Sequence, residues 1–136
     1  MTKWYPYTPF WQGDYMVKKP LIEVELFHNG QSMKQMALLD SGADITTVNA
    51  EIAAYLGIDL KDCDEKVIAG VVGQPTPAYL TEMDMSVSGF PETVRLRLLF
   101  VPGLKMNILL GQEGFFDAFR VSFAKYEDAI ELSHGH

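Results

Sequence analysis

Short runs of alternating apolar and polar residues dominate this chain and limit it to a β architecture. Each run predicts a strand with one buried and one exposed face, because successive side chains of a strand point to opposite sides. Such runs lie at 21–26, 83–88 and 94–98. Turn residues separate the runs, and the Asn29-Gly30 pair is typical of a tight hairpin. The sequence therefore predicts hairpins arranged around one core.

Only two short segments favour a helix. One is 50–56, which follows the good N-cap residue Asn49, and the other is about 112–118. A last hairpin is predicted to pair 120–123 with 129–132. Strands and helices do not alternate as they do in proteins with parallel sheets. We therefore predict an all-β fold, mainly β with two short helices, that closes or curls strongly into a barrel.

Length and charge narrow the class of protein. At 136 residues the chain can build one core but not two ordinary domains. A net charge of −7 disfavours nucleic acid or an anionic membrane as partner, and no apolar stretch is long enough to cross a bilayer. Cys63 is the single cysteine, which excludes an internal disulfide and is compatible with a reducing compartment. With no secretion signal in the first residues, we expect a cytoplasmic location.

Residues 1–18 have a different composition from the rest of the chain. Six aromatic residues and two prolines occur there without a period of two or 3.6 residues. We interpret this segment as an extended arm that docks onto the body, because so many exposed aromatic side chains would otherwise be a liability. The arm could pack on its own subunit, cross to another copy of the chain or lie over a cleft of the body. The predicted organisation is arm 1–18, domain 19–132 and tail 133–136.

The chemically informative motif is Asp40-Ser41-Gly42, which directly follows an apolar strand ending at Leu39. A strand end holds the Asp40 side chain on rigid backbone, and Gly42 permits the tight turn that aims it. The Ser41 hydroxyl can tie neighbouring loops together. An aspartic peptidase would place its catalytic carboxylate in such a position.

An aspartic peptidase needs two carboxylates that share one proton beside a nucleophilic water. No other aspartate in this chain follows a buried strand and precedes Ser or Thr and Gly. The second carboxylate must therefore come from Asp40 of another copy, with a twofold axis between the two. The sequence predicts a homodimer.

Three marks in order along the chain point to a known family. They are the Asp-Ser-Gly-Ala string at 40–43, a glycine-bounded hairpin at 70–74, and Leu-Leu-Gly at 109–111 before a helix. Together they resemble the retropepsin family, the single-domain aspartic peptidases of retroviruses and their cellular and bacterial relatives. The resemblance covers about 21–132, and the stretch 107–123 is most similar to the bacterial branch.

The resemblance implies an acid-protease-like barrel with a flap hairpin, and an aspartic endopeptidase that needs no metal or cofactor. Its substrate would be an extended segment of a peptide or protein. The implied catalytic residues are Asp40, Ser41 and Gly42, with Asp40 of both subunits activating a water. The implied substrate-binding residues are Ala43, Asp44, Gly70, Val71, Val72, Gly73, Leu109 and Leu110. Pro75 and Pro77 depart from the family pattern, since they remove hydrogen-bond donors beside the flap tip.

Two alternatives remain open at the level of sequence. One is a retropepsin-like fold that binds peptides or dimerises without cutting, because a fold does not by itself imply a function. The other is a latent protease whose cleft is blocked by the arm 1–18.

Overall fold

The computed structural model contains the strands that the sequence predicts. It describes residues 1–69 and 74–135. The strands of these ranges are β1 (Thr2–Tyr5), β2 (Thr8–Gln12), β3 (Tyr15–Lys19), β4 (Leu21–His28), β5 (Gln31–Leu39), β6 (Thr46–Asn49), β7 (Asp64–Ile68), β8 (Thr76–Val87), β9 (Thr93–Val101), β10 (Ile108–Leu110), β11 (Phe119–Ala124) and β12 (Ala129–His134). The helices are α1 (Glu51–Tyr55) and α2 (Phe115–Ala118), and single 3-10 turns lie at Leu60–Asp62 and Lys125–Glu127. None of the described helices has the length and apolar character that a membrane crossing requires.

Six strands close into a barrel. They follow the order β4-β5-β10-β6-β9-β8, and β8 returns to pair with β4. The pairs β5–β10 and β6–β9 are parallel, and the other pairs of the ring are antiparallel. β7 extends β8 outside the ring as a hairpin. The predicted all-β fold, with two short helices and a closed barrel, is confirmed.

The barrel interior is filled by the apolar positions of the alternating runs. Ile22, Val24 and Leu26 are at most 1% exposed, whereas Glu23 between them is exposed. The run that ends at Val101 is buried over its last four residues because it crosses the centre of the sheet. Burial of apolar surface at these positions is the main source of stability for such a fold.

The N-terminal segment forms strands, and it docks through one of them. β1 pairs antiparallel with β12 of the same chain and completes the sheet β1-β12-β11. The hydroxyl of Tyr5 donates a hydrogen bond to the carbonyl of Ser88, and Tyr7 is buried in the core. β2 and β3 pair only with each other among the described strands, and Trp11 and Tyr15 on them stay exposed.

The structure corrects several element boundaries. The acidic stretch 61–65 reads as a connecting loop, but Asp64 and Glu65 already belong to β7. The second helix begins at Phe115 rather than near residue 112, because the backbone of Glu113 is bonded to the neighbouring 44–46 segment and cannot follow a helical path. Helix α1 lies within its predicted range 50–56 but is one residue shorter at each end, and the Asn49 side chain accepts a hydrogen bond from the N–H of Glu51.

Candidate active site

Asp40 follows the last residue of β5, at the edge of the barrel. Its N–H donates to the carbonyl of Leu110 at 3.0 Å, which fixes the backbone where the strand ends. The N–H of Gly42 donates to Asp40 Oδ1 at 3.0 Å, and the N–H of Ala43 donates to the Asp40 carbonyl at 3.1 Å. The chain therefore turns tightly around its own carboxylate. Oδ2 of Asp40 accepts no hydrogen bond from the residues that the structure describes.

Residues 40–45, the Asp40 loop, are held along their length by residues 111–113. Gln112 donates its backbone N–H to the Ala43 carbonyl at 2.8 Å and its side-chain Nε2–H to the Ser41 carbonyl at 2.8 Å. The N–H of Glu113 donates to the Asp44 carbonyl at 2.9 Å. These bonds fix the backbone around Asp40 within a single chain.

Gly111 lies too close to the Asp40 loop to carry a side chain. A Cβ built on it would lie 2.6 Å from the backbone carbon and oxygen of Ile45 and 2.9 Å from the carbonyl oxygen of Ala43. Its N–H donates to Thr46 Oγ1 at 3.1 Å in the buried interior. The glycine of the Leu-Leu-Gly run therefore allows the two segments to touch.

An ion pair supports this arrangement from outside. Arg97 on β9 holds the Glu113 carboxylate with two hydrogen bonds, Nε to Oε2 at 2.6 Å and Nη2 to Oε1 at 3.0 Å. The hydrogen bonding and positive charge of Arg97 hold the pKa of Glu113 below its usual value, and Glu113 raises the pKa of Arg97 in turn. Both side chains are about half exposed, so screening by solvent weakens the pair.

An open cleft of about 1030 Å³ lies beside Asp40. One part of its lining is the Asp40 loop, and another is a row of side chains on three neighbouring strands of the barrel. A third part comes from the loop after β9, which is tied to β6 by a hydrogen bond from Asn49 Nδ2 to the Leu104 carbonyl at 2.7 Å. The lining residues that the argument uses are Asp40, Ile45, Thr47, Leu99, Leu104 and Leu109.

Five of the predicted site residues lie around this cleft, and two others do not line it. Those that line it are Asp40, Gly42, Ala43, Asp44 and Leu109. Ser41 is exposed on the Asp40 loop but is not part of the lining. Leu110 was expected to line a substrate pocket, and the structure places it in the barrel core with no exposed surface. The reason is strand alternation, which sends Leu109 to one face and Leu110 to the other.

A run that is apolar throughout, such as 108–110, is typical of a strand buried on both faces, but this one is fully buried on one face only. Leu109 is only partly buried because its face of the strand is the cleft wall. The predicted flap residues Gly70, Val71, Val72 and Gly73 lie outside the described residues. The strands on either side, β7 and β8, do form a hairpin, and Ile68 and Ala69 at its end line the cleft.

Sequence reasoning missed the residues that hold the Asp40 loop in place. Thr46, Gln112 and the Arg97–Glu113 pair were not singled out, and each acts through a contact between residues far apart in the chain. A hint was available for Gln112 and Glu113, since they directly follow the Leu-Leu-Gly run. Within 1–69 and 74–135, no group of three or more His, Cys, Asp or Glu residues is arranged to hold a metal ion.

Comparisons with known proteins agree with this geometry. A family model described as Aspartyl protease matches residues 22–113. Among solved structures, the chain is similar to a retropepsin-like aspartic protease from Rickettsia conorii, with a TM-score of 0.61 at 15% sequence identity. The match covers 98% of this chain and 92% of that one. No curated protein matches the sequence. At this identity the structural match establishes the retropepsin-like fold.

Proposed function

This chain belongs to the aspartyl protease family, and from that premise we propose that it is an aspartic endopeptidase whose active site forms when two copies bring their Asp40 side chains together. The family and the retropepsin-like fold support a protease-type function. The observation that carries the finer proposal is the position of Asp40. It lies on a loop fixed by hydrogen bonds, it lines an open cleft, and it keeps one carboxylate oxygen without a partner among the described residues.

A second copy is required because one chain supplies one suitable carboxylate. Two carboxylates within hydrogen-bonding distance cannot both carry full charge cheaply, so they hold one proton between them. The ionised carboxylate takes a proton from a bridging water, which attacks the scissile carbonyl carbon. The protonated carboxylate donates to the carbonyl oxygen, and the roles reverse when the amine leaves. This mechanism uses no metal or cofactor.

The substrate in this proposal is an extended peptide that lies in the cleft. The exposed Asp44 carboxylate would accept hydrogen bonds from its main-chain N–H groups, and Leu99 and Leu109 would contact its side chains. The β7–β8 hairpin, whose Ile68 and Ala69 already line the cleft, would act as the flap. Together these parts would bind the backbone as an added strand and select side chains by pockets.

The test compares Asp40→Asn with the unmodified chain on a peptide library between about pH 3 and 8, a range that spans the titration of ordinary carboxyl groups. We expect cleavage by the unmodified chain and none by Asp40→Asn, because an amide cannot accept the proton of the attacking water. Asp62→Asn is the matched control, since Asp62 is exposed on the 3-10 turn away from the cleft, and it should retain full activity. Sedimentation should show that all three chains dimerise. Residual cleavage by Asp40→Asn would contradict the assignment.

A peptide-binding module without turnover is the second candidate, and the prolines beside the flap tip favour it. Pro77 lies opposite Val67 in the β7–β8 pair and cannot donate to the ladder, and Pro75 precedes it. Such a module would bind peptides equally well with Asp40 or Asn at that position. A latent protease blocked by its own arm has less support, because none of the cleft-lining residues belongs to 1–18.

A further inference from the structure

Thr47 lies in the middle of the cleft wall. In the sheet it is opposite Leu109 of β10 on one side and opposite Leu99 of β9 on the other. Residues at the same register of neighbouring strands point to the same face, so these three side chains form one row. All three line the cleft, and Thr47 is only 6% exposed.

The Thr47 hydroxyl is buried and has no hydrogen-bond partner among the described residues. Its neighbour Thr46 shows the ordinary arrangement, because Thr46 Oγ1 accepts from the N–H of Gly111 and donates to the carbonyl of Glu113. Buried polar side chains in folded proteins nearly always have a partner, and an exception calls for a physical reason. A partner supplied from the cleft is such a reason.

Rotation of the side chain would turn the Thr47 hydroxyl toward a substrate in the cleft. Rotation about χ1 by one staggered step can move the hydroxyl of threonine into the former position of the methyl group and the methyl group into that of the Cβ hydrogen, and more than one staggered rotamer is compatible with a strand. Because the hydroxyl has no hydrogen bond among the described residues, it loses none when it turns. Thr47 can therefore present either a methyl group or a hydroxyl group to a bound side chain.

We propose that Thr47 is a specificity residue that hydrogen-bonds an uncharged polar side chain of the substrate, such as threonine, serine or asparagine, an inference that rests on the proposed protease function. The row disfavours other classes of side chain, and the charged residues that line the cleft, Asp40, Asp44 and Lys105, lie outside it. A charged group would lose its hydration against Leu99, Leu104 and Leu109 without an opposite charge in the row. A purely aliphatic group would also fit but would form no hydrogen bond with the hydroxyl, so it would bind more weakly by about the strength of one such bond.

The experiment uses peptide pairs that differ only by threonine or valine at one position, scanned along a cleaved peptide. The unmodified chain should prefer threonine at one position by about tenfold in kcat/KM, the effect of about one buried hydrogen bond. Thr47→Val should remove that preference and leave the profile at the other positions unchanged. The control is Thr93→Val, the same substitution at an exposed threonine at the start of β9, and this variant should keep the preference. Equal profiles for the unmodified chain and Thr47→Val would overturn the inference.

A binding measurement separates this inference from the proposed function. Calorimetry of the same peptide pairs with Asp40→Asn reads affinity without cleavage, and about tenfold tighter binding of the threonine peptide would support the role of Thr47. Suppose that the unmodified chain cleaves no peptide while Asp40→Asn still prefers the threonine peptide. If the double variant Asp40→Asn, Thr47→Val then loses this preference, the protease proposal fails and the binding role of Thr47 stands. Equal affinities or no binding would overturn the inference even if cleavage occurs.

Discussion

We predict that the same substitution changes the free energy of unfolding in opposite directions at Thr46 and Thr47, two adjacent buried residues of β6. Valine has nearly the shape of threonine, so Thr46→Val and Thr47→Val change hydrogen bonding and little else. Thr46→Val leaves the buried N–H of Gly111 without its acceptor at 3.1 Å, which costs about 1–3 kcal/mol. Thr47→Val removes a buried hydroxyl that has no partner among the described residues, and we expect a gain of about 1 kcal/mol. The two variants should therefore differ by about 3 kcal/mol.

Thermal unfolding followed by circular dichroism measures this difference. At about 3 °C per kcal/mol for a chain of this size, Thr47→Val should melt about 9 °C above Thr46→Val, with the unmodified chain between them. All samples need one protein concentration, because dimerisation makes Tm depend on it. The exposed control Thr93→Val should stay within about 0.5 kcal/mol of the unmodified chain. A Thr47→Val variant that is destabilised as much as Thr46→Val would show that the Thr47 hydroxyl is already bonded, and the reasoning on both residues would fail.

Two further predictions concern the support of the Asp40 loop. Gly111→Ala should destabilise the fold by about 1–3 kcal/mol, because the added Cβ would lie 2.6 Å from the Ile45 backbone. It should also lower kcat/KM, because the Asp40 loop is displaced. Thermal unfolding and peptide cleavage measure the two effects, and full activity would contradict the prediction. Glu113→Gln should lower Tm at neutral pH by removing the pair with Arg97. Arg97 lowers the pKa of Glu113 in the folded protein below its value of about 4.3 in the unfolded chain. The stability that the pair provides is therefore present above about pH 4.3 and is lost as the pH falls through the lower pKa of the folded protein. The Tm difference between the unmodified chain and Glu113→Gln should therefore close in acid, and a difference that stays constant down to about pH 2 would show that charge is not its cause.

Local patterns predicted the barrel and the position of Asp40. Alternation at 21–26 identified β4 because one face of that strand is buried and the other is in solvent. The run ending at Leu39 identified the strand that carries Asp40, and the glycine in the tripeptide predicted the turn. In each case the residues that decide the structure are neighbours in the chain. The resemblance to a family added the closed form of the barrel.

The sequence did not predict features that depend on contacts between distant residues, or on which face of a strand is buried when the strand has no alternating pattern. The run 108–110 is apolar throughout, so it does not reveal that Leu109 faces the cleft and Leu110 the core. In the N-terminal hairpin, Phe10 and Trp11 are consecutive and both exposed, so no alternation marks β2 as a strand. The pairing of Arg97 with Glu113 joins residues that only the folded barrel brings together.

The hydrogen bonds around Asp40 have a consequence for the proposed dimer. The carbonyl of Leu110, the backbone and side chain of Gln112, and the N–H of Gly42 fix the Asp40 loop inside one chain. Each copy therefore enters the dimer with its half of the site already ordered, and association does not have to order the loop as well. In the proposed dimer the exposed Ser41 hydroxyl, which lies on the loop but outside the cleft, would join the two halves. In this proposal the closed barrel prepares the carboxylate, and pairing of two copies supplies only the second one.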